Sequence, residues 1–230
     1  MSEVVDFRGI KIACRPDSTD KNIAICIIGM GEIESDEYHI RKLAEAGGVF
    51  VDIGAYGAHA SLLAAQLGME CVAVEPLPEN LENLQLNLGL NPELAKKIKV
   101  VPAAIGRNLI YWNDPSTEFS KTHRFVAQNK PSENAQAVVV PMVDLDILLE
   151  KYEYITLLKT DCEGGEWAIA ESSAKDKVLH IVGEFHKLDE RTFEDFRACF
   201  PHHNDVSAEF GDGHSADGIN RLFVFRLDTI

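Results

Sequence analysis

The stretch VFVDIGAYGAHASLLA, Val49–Ala64, changes its period halfway along. Its first half is a short apolar run that reads as a buried strand, and its second half continues as HASLLAAQLG, a helical pattern closed by Gly68. Between them lie the small residues Gly54, Ala55 and Gly57, so the unit is strand, glycine loop, helix. The same alternation continues downstream. CVAVEP reads as a second strand, and PENLENLQLNLGLNP as a helix with Pro78 near its start and Pro92 beyond its end. KIKVVPAAIG, YITLLKTD and VLHIVGEFH supply three further strands, each finishing in small, acidic or polar residues. Strands alternating with helices predict a parallel sheet, and polar strand ends gather at its carboxyl edge, where open α/β folds bind ligands.

Three segments stand outside this alternation. At the C-terminus NRLFVFRL alternates as a last strand, and the short glycine-rich link from DVSAEFG predicts an antiparallel hairpin, since a parallel partner needs a longer crossover. Residues 1–47 form an N-terminal extension in which GIKIAC and NIAICIIG read as a β-hairpin, followed by a helix through EYHIRKLAEAG. Residues 107 to about 138 are polar with two prolines and read as a long loop of the kind that often serves as a functional lid. Residues 1–230 are thus expected to form one domain, with the extension at 1–47 and the α/β core at 48–230.

The charge balance, 22 Lys plus Arg against 37 Asp plus Glu, gives a net charge of -15 and argues against a nucleic-acid partner. The N-terminus lacks a basic start followed by an apolar segment, and IAICIIGM is too short to span a bilayer. A soluble, cytoplasmic protein without membrane partners is expected. The 5 cysteines are odd in number and form no CxxC pair, which fits reduced thiols better than a disulfide framework or a zinc site. His202, His203 and His214 show no metal-ligand spacing and read as solvated loop. The sequence carries no indication of oligomeric state.

What the glycine loop holds follows from its charge. A dinucleotide loop reads GxGxxG and faces an anionic pyrophosphate, whereas here Asp52 precedes Gly54-Ala55-Tyr56-Gly57-Ala58. A carboxylate there would repel pyrophosphate and favour a cation. S-Adenosylmethionine, with its ammonium and sulfonium, fits that sign. Glu75, at the end of the second strand, suits the ribose hydroxyls. The same two acids also fit a helix cap and a surface strand end.

VFVDIGAYGAHASLLAAQLG, AVEPLPENLENLQLNLGLN, VDLDILLE, LLKTDCEGGE and IVGEF occur in an order and spacing that resembles FkbM-type methyltransferases, over most of the chain from about DEYHIRKLAEAG onward. The resemblance implies a Rossmann-like class I methyltransferase fold with a seven-stranded, mostly parallel sheet, and methyl transfer from S-adenosylmethionine, usually to a hydroxyl on a sugar or other small metabolite. The family's loop reads Asp-x-Gly-Ala-Asn-x-Gly; this chain has Tyr56 for the asparagine and Ala58 for the second glycine. Ala58 places a Cβ where close backbone approach is expected, and Gly57 offers room through a shifted turn. The residues expected to face the cofactor are Asp52, Gly54, Ala55, Tyr56, Gly57, Glu75, Pro76, Ala103, Ala104 and Asp161.

For the chemistry, the resemblance places Asp161 and Glu163 on the family's acidic motif and Glu184 on its later strand-end acid. His186, without that support, is the strand-end imidazole, with a pKa of about 6.5 in its unperturbed form that suits a general base. Asp161, Glu163 and His186 are therefore the catalytic candidates, with the carboxylates as acceptor-orienting groups or the histidine as base. The carboxylates equally fit helix-start electrostatics, or Mg²⁺ ligation by Asp161, Glu163 and Glu184; no ligand spacing singles out the metal, and none is assigned. Lys159, within an apolar strand, suits neutralising Asp161 or Glu75, or snorkelling to water. Tyr111, Trp112 and Trp167 suit either ring stacking or packing. A non-catalytic homologue, consistent with Tyr56 and Ala58, and a dinucleotide-dependent oxidoreductase, disfavoured by Asp52, are the competing readings.

Overall fold

The computed structural model describes residues 2–32, 35–106, 111–113, 136–162, 164–187, 190–211 and 220–228. The chain begins with an antiparallel hairpin, β1 (Glu3–Phe7) and β2 (Ile10–Cys14). Its two-residue turn has both φ angles positive, 55° at Arg8 and 89° at Gly9, as a turn matched to right-twisted strands requires. The second half of the hairpin expected from the sequence, NIAICIIG, is instead helical, in α1 (Asp20–Ile28). β-branched content suggested a strand, but Asp20, Ala24, Ile27 and Ile28 are the buried positions, a spacing that places them on one helix face. The helix through EYHIRKLAEAG shrinks to α2 (Ile40–Leu43).

The core follows as β3 (Val49–Ile53), α3 (His59–Gln66), β4 (Glu70–Val74), α4 (Pro78–Leu90), α5 (Pro92–Ala95) and β5 (Ile98–Val101). Short strands β6 (Ala104–Ile105), β7 (Tyr111–Asn113), β8 (Gln136–Val138) and β9 (Met142–Val143) come next. Of the long loop expected over 107–138, only the antiparallel pair β7 and β8 is described, and the rest lies outside the described residues. Then come α6 (Leu145–Leu149), β10 (Ile155–Thr160), α7 (Glu166–Glu171), β11 (Val178–His186), α8 (Phe193–Ala198), β12 (His203–Asp205), α9 (Ser207–Phe210) and β13 (Asn220–Leu227).

Seven strands form one sheet in the order β12-β13-β11-β10-β3-β4-β5. β13 runs antiparallel to both neighbours, as the short C-terminal link predicts, while β11, β10, β3, β4 and β5 are parallel. The hairpin partner is His203–Asp205, and the SAEF of the expected strand is helix α9. His203 is therefore no loop residue: it is buried, with Nε2 2.9 Å from the carbonyl of Val178.

Strand alternation divides the core. Phe50 of β3 packs with α1 and α3 residues on one face, while Val51 and Ile53 pack with α6, α7 and α8 residues on the other. Trp167 belongs to this second layer, edge-on to Phe196 at 5.5 Å with Arg191 3.9 Å above its ring, so packing and not ligand stacking occupies it. The register Lys159↔Asp52 between β10 and β3 turns both side chains toward the α3 face.

Candidate functional site

A cavity of about 200 Å³ opens where β3, β4, β10 and β11 end. Gly54, Ala55 and Tyr56 form one wall, Glu75, Pro76 and Leu77 the next, and Ala103, Ala104 and Ile105 a third. Asp161, Cys162 and Glu184 close it on the far side, and Tyr38 reaches in from the N-terminal segment. Gly54 is required by the chain itself: its φ is 77°, and a Cβ there would sit 1.9 Å from the Asp161 carbonyl oxygen. The ends of β3 and β10 thus meet at a distance only glycine permits.

Glu75 is 3% exposed and fixed by its neighbours. Its Oε2 accepts from the backbone N–H of Tyr56 at 2.8 Å, and its Oε1 from Leu77 N at 2.9 Å and Asn80 Nδ2 at 3.3 Å. An ionised carboxylate has about four lone-pair directions, so Oε2 retains room for one more donor. That suits one ribose hydroxyl directly. Burial raises the Glu75 pKa from 4.5 to about 7, against the pull of Leu77 N, Tyr56 N and Asn80.

This shift fixes the sign of a stability effect. Because the folded pKa lies above the unfolded one, the fold holds a proton that the unfolded chain releases, and the resulting stability is complete below about pH 4.5 and lost as pH rises through 7. We expect the denaturant midpoint of the wild type to fall relative to that of Glu75→Ala between those pH values. A difference independent of pH would contradict the burial of an ionisable Glu75.

Opposite Glu75, the phenol of Tyr38 donates to Asp161 Oδ2 at 2.8 Å, and burial together with that carboxylate raises its pKa well above the usual value, keeping it a donor. Lys159 lies 3.2 Å from Asp52 Oδ1 and donates to the Gly54 carbonyl at 2.8 Å. Burial alone would lower its pKa, yet Asp52 and Asp161 raise it. Beyond, His186 Nδ1 lies 3.2 Å from Glu166 Oε1. The ring thus stands between two carboxylates, with Nε2 3.9 Å from Glu184 Oε2. Asp161, Glu184 and His186 can each offer a ligand atom within 4.8 Å of the others.

Of the residues expected to face a cofactor, Gly54, Ala55, Tyr56, Glu75, Pro76, Ala103, Ala104 and Asp161 line the cavity. Asp52 and Gly57 do not. Asp52 is fully buried below the loop, with Ser61 donating to Oδ2 at 2.7 Å, so Lys159 and Ser61 take the charge intended for a ligand. At Gly57 a Cβ would meet His59 of α3 at 2.8 Å and then Asn87 and Asn83 of α4. Glu163, His214 and the side chains of Tyr111 and Trp112 lie outside the described residues. The sequence reading missed Tyr38 and Asn80, although EYH and PEN stand in the quoted motifs, because neither has an apolar period or charge pattern that marks it.

The residues present suit S-adenosylmethionine. Among the described residues, Glu37, Glu75, Asp161 and Glu184 line the cavity together with Lys159, whose ammonium is paired with Asp52. Such a lining favours a cationic ligand and opposes pyrophosphate.

The model for the methyltransferase FkbM domain matches residues 52–207. A structure described as a candidate tRNA (m1A22) methyltransferase of Streptococcus pneumoniae, in complex with S-adenosyl-L-methionine, is similar at 11% identity and TM-score 0.49, over 83% of this chain and 71% of that one. Precorrin-6y C5,15-methyltransferase from Geobacter metallireducens is similar at 15% identity and TM-score 0.44, over 82% and 84% of the two chains. A TehB-like SAM-dependent methyltransferase from Corynebacterium glutamicum is similar at 11% identity and TM-score 0.46, over 84% and 90%. The comparison with curated proteins yields no match. Among the described residues no helix is long and apolar enough to cross a membrane.

Proposed function

Since the chain belongs to the FkbM family of S-adenosylmethionine-dependent methyltransferases, we propose that it methylates a hydroxyl on a small, phosphate-free metabolite such as a sugar. The observation that carries this reading is the acidic lining among the described residues, Glu37, Asp161 and Glu184 beside Glu75, against the ammonium of Lys159 that Asp52 already pairs. The same lining, with a net chain charge of -15, disfavours a nucleic acid or a phosphorylated acceptor. When bound, S-adenosylmethionine supplies an electrophilic methyl group on a sulfonium.

The chain's own residues have separable tasks. Glu75 holds the ribose end through Oε2, with Pro76, Leu77 and Ala104 as apolar surface beside it. Asp161, braced by Tyr38, orients the acceptor hydroxyl. His186, set by Glu166, takes the hydroxyl proton at Nε2, a role that general-base catalysis rewards with about 10²–10⁴-fold in rate. Glu163 remains a second candidate for orienting the acceptor.

The trio of Asp161, Glu184 and His186 supports one other reading, a divalent cation that lowers the pKa of the acceptor hydroxyl. Transfer of labelled methyl from S-adenosylmethionine to a panel of sugars, other hydroxyl metabolites and RNA, with and without EDTA, tests both. We expect label in a phosphate-free hydroxyl compound and EDTA-resistant turnover. Label confined to RNA would overturn the acceptor class, and activity lost to EDTA and restored by Mg²⁺ would replace the histidine base by a metal.

A further inference from the structure

Tyr56, the residue that departs from the family's asparagine, sits in the left-handed region with φ 51°, and Ala58 follows at 62°. Neither conformation is intrinsically favourable for a residue with a Cβ, so neighbouring structure must impose it. The Tyr56 backbone N–H is held by Glu75, and its hydroxyl donates at 2.6 Å to Oδ1 of Asp20, which stands at the start of α1 and is fully buried. Arg15 grips the same carboxylate, with its Nη2 2.8 Å from Oδ1 and its backbone N and Nε 2.7 and 2.9 Å from Oδ2. Its guanidinium also lies 5.1 Å from the Tyr56 ring centre.

The contacts close into a ring. The backbone N–H of Tyr56 holds Glu75 Oε2, Asn80 holds Glu75 Oε1, and Arg15 Nη1 reaches Asn80 Oδ1 at 3.3 Å. Asp20, Tyr56, Glu75, Asn80 and Arg15 thus join the N-terminal segment to both loops that line the cavity. Arg15 and Asp20 precede the residues that the family model matches, 52–207.

We propose that Asp20, held by Arg15, is a cofactor-positioning residue that acts through the Tyr56 hydroxyl to keep Glu75 aimed at the ribose. The inference rests on the reading of the cavity as the S-adenosylmethionine site. In this view Tyr56 is a fitted replacement for the asparagine, and the N-terminal segment supplies its counterpart. Burial alone would raise the Asp20 pKa, but hydrogen bonds from Arg15 and Tyr56 bring it down to about 2, so the ring is held by a full charge.

The test is calorimetric titration of the full chain with S-adenosylhomocysteine. Tyr56→Phe removes only the hydroxyl and is expected to raise Kd about tenfold, the scale of one hydrogen bond to a charged group. Asp20→Asn should do the same, and the double variant should lose little beyond either single one. The deciding arm is the Glu75→Ala background, in which Tyr56→Phe should leave Kd unchanged, because its effect runs through Glu75. An unchanged Kd for Tyr56→Phe in the otherwise native chain, or an equal loss in the Glu75→Ala background, would overturn the proposal. Should Asp20→Asn fail to fold, the Tyr56→Phe pair decides alone. Failure of the unsubstituted protein to bind would instead overturn the reading of the cavity.

Discussion

Glu75→Ala is expected to weaken S-adenosylhomocysteine binding by more than about 1.5 kcal/mol, more than tenfold in Kd, since a hydrogen bond to a charged group contributes about 1.5–3 kcal/mol. Two effects add. The ribose loses its acceptor, and the N–H groups of Tyr56 and Leu77 lose the carboxylate that fixes both loops against the cavity. The substitution also removes a buried carboxyl whose pKa is pushed up to about 7, so above neutral pH the fold is relieved of a strained charge even as the ligand is lost. Affinity and stability should therefore part company, which a general loosening of the structure would not produce. Calorimetry beside a denaturant titration at pH 8 measures both. Unchanged affinity would place the ribose elsewhere.

The second large effect belongs to turnover. His186→Asn should lower kcat by about 10²–10⁴-fold, the range for loss of a positioned general base, while the Kd for S-adenosylhomocysteine changes by less than about threefold. The asparagine side chain can still hydrogen-bond Glu166, so the 3.2 Å contact that orients position 186 has a substitute while the titratable nitrogen is gone. Glu166→Gln should lower kcat less, because it weakens the hold on Nδ1 and leaves the imidazole in place. Single-turnover rates with saturating cofactor provide the comparison. A His186→Asn enzyme with native kcat would leave Asp161 and Glu184 as the groups that handle the acceptor.

Much of the architecture was legible because it rests on local patterns. Short continuous apolar runs mark β3 to β5, β10 and β11, helical patterns mark α3 and α4, and Pro78 and Gly68 mark helix ends that the structure places within a residue or two. Glu75 was legible as a cavity residue because a strand end at the carboxyl edge has few other places to face. Asp52 was not, because its fate is decided by register: β10 brings Lys159 beside it, and nothing within either strand announces that pairing. Gly57 lies off the cavity wall for a similar reason, since it packs against His59 of α3 and Asn87 and Asn83 of α4. Tyr38, Arg15 and Asp20 reach the site across 36 or more residues of chain from their partners Asp161 and Tyr56, and only the folded packing of the N-terminal segment brings them there. The run NIAICII fits strand and helix alike by composition, and the helix prevails through the buried face that Asp20, Ala24, Ile27 and Ile28 share.

We propose that the cavity at the carboxyl edge holds S-adenosylmethionine with its ribose on Glu75 and its methyl-bearing end toward Asp161 and His186. A crystal structure of the protein with S-adenosylhomocysteine tests it most directly. We expect a ribose hydroxyl within about 3 Å of Glu75 Oε2, with the ligand sulfur on the Asp161 side of the cavity. Density for the ligand outside this cavity, or a Glu75 carboxylate making no contact with the ribose, would contradict it.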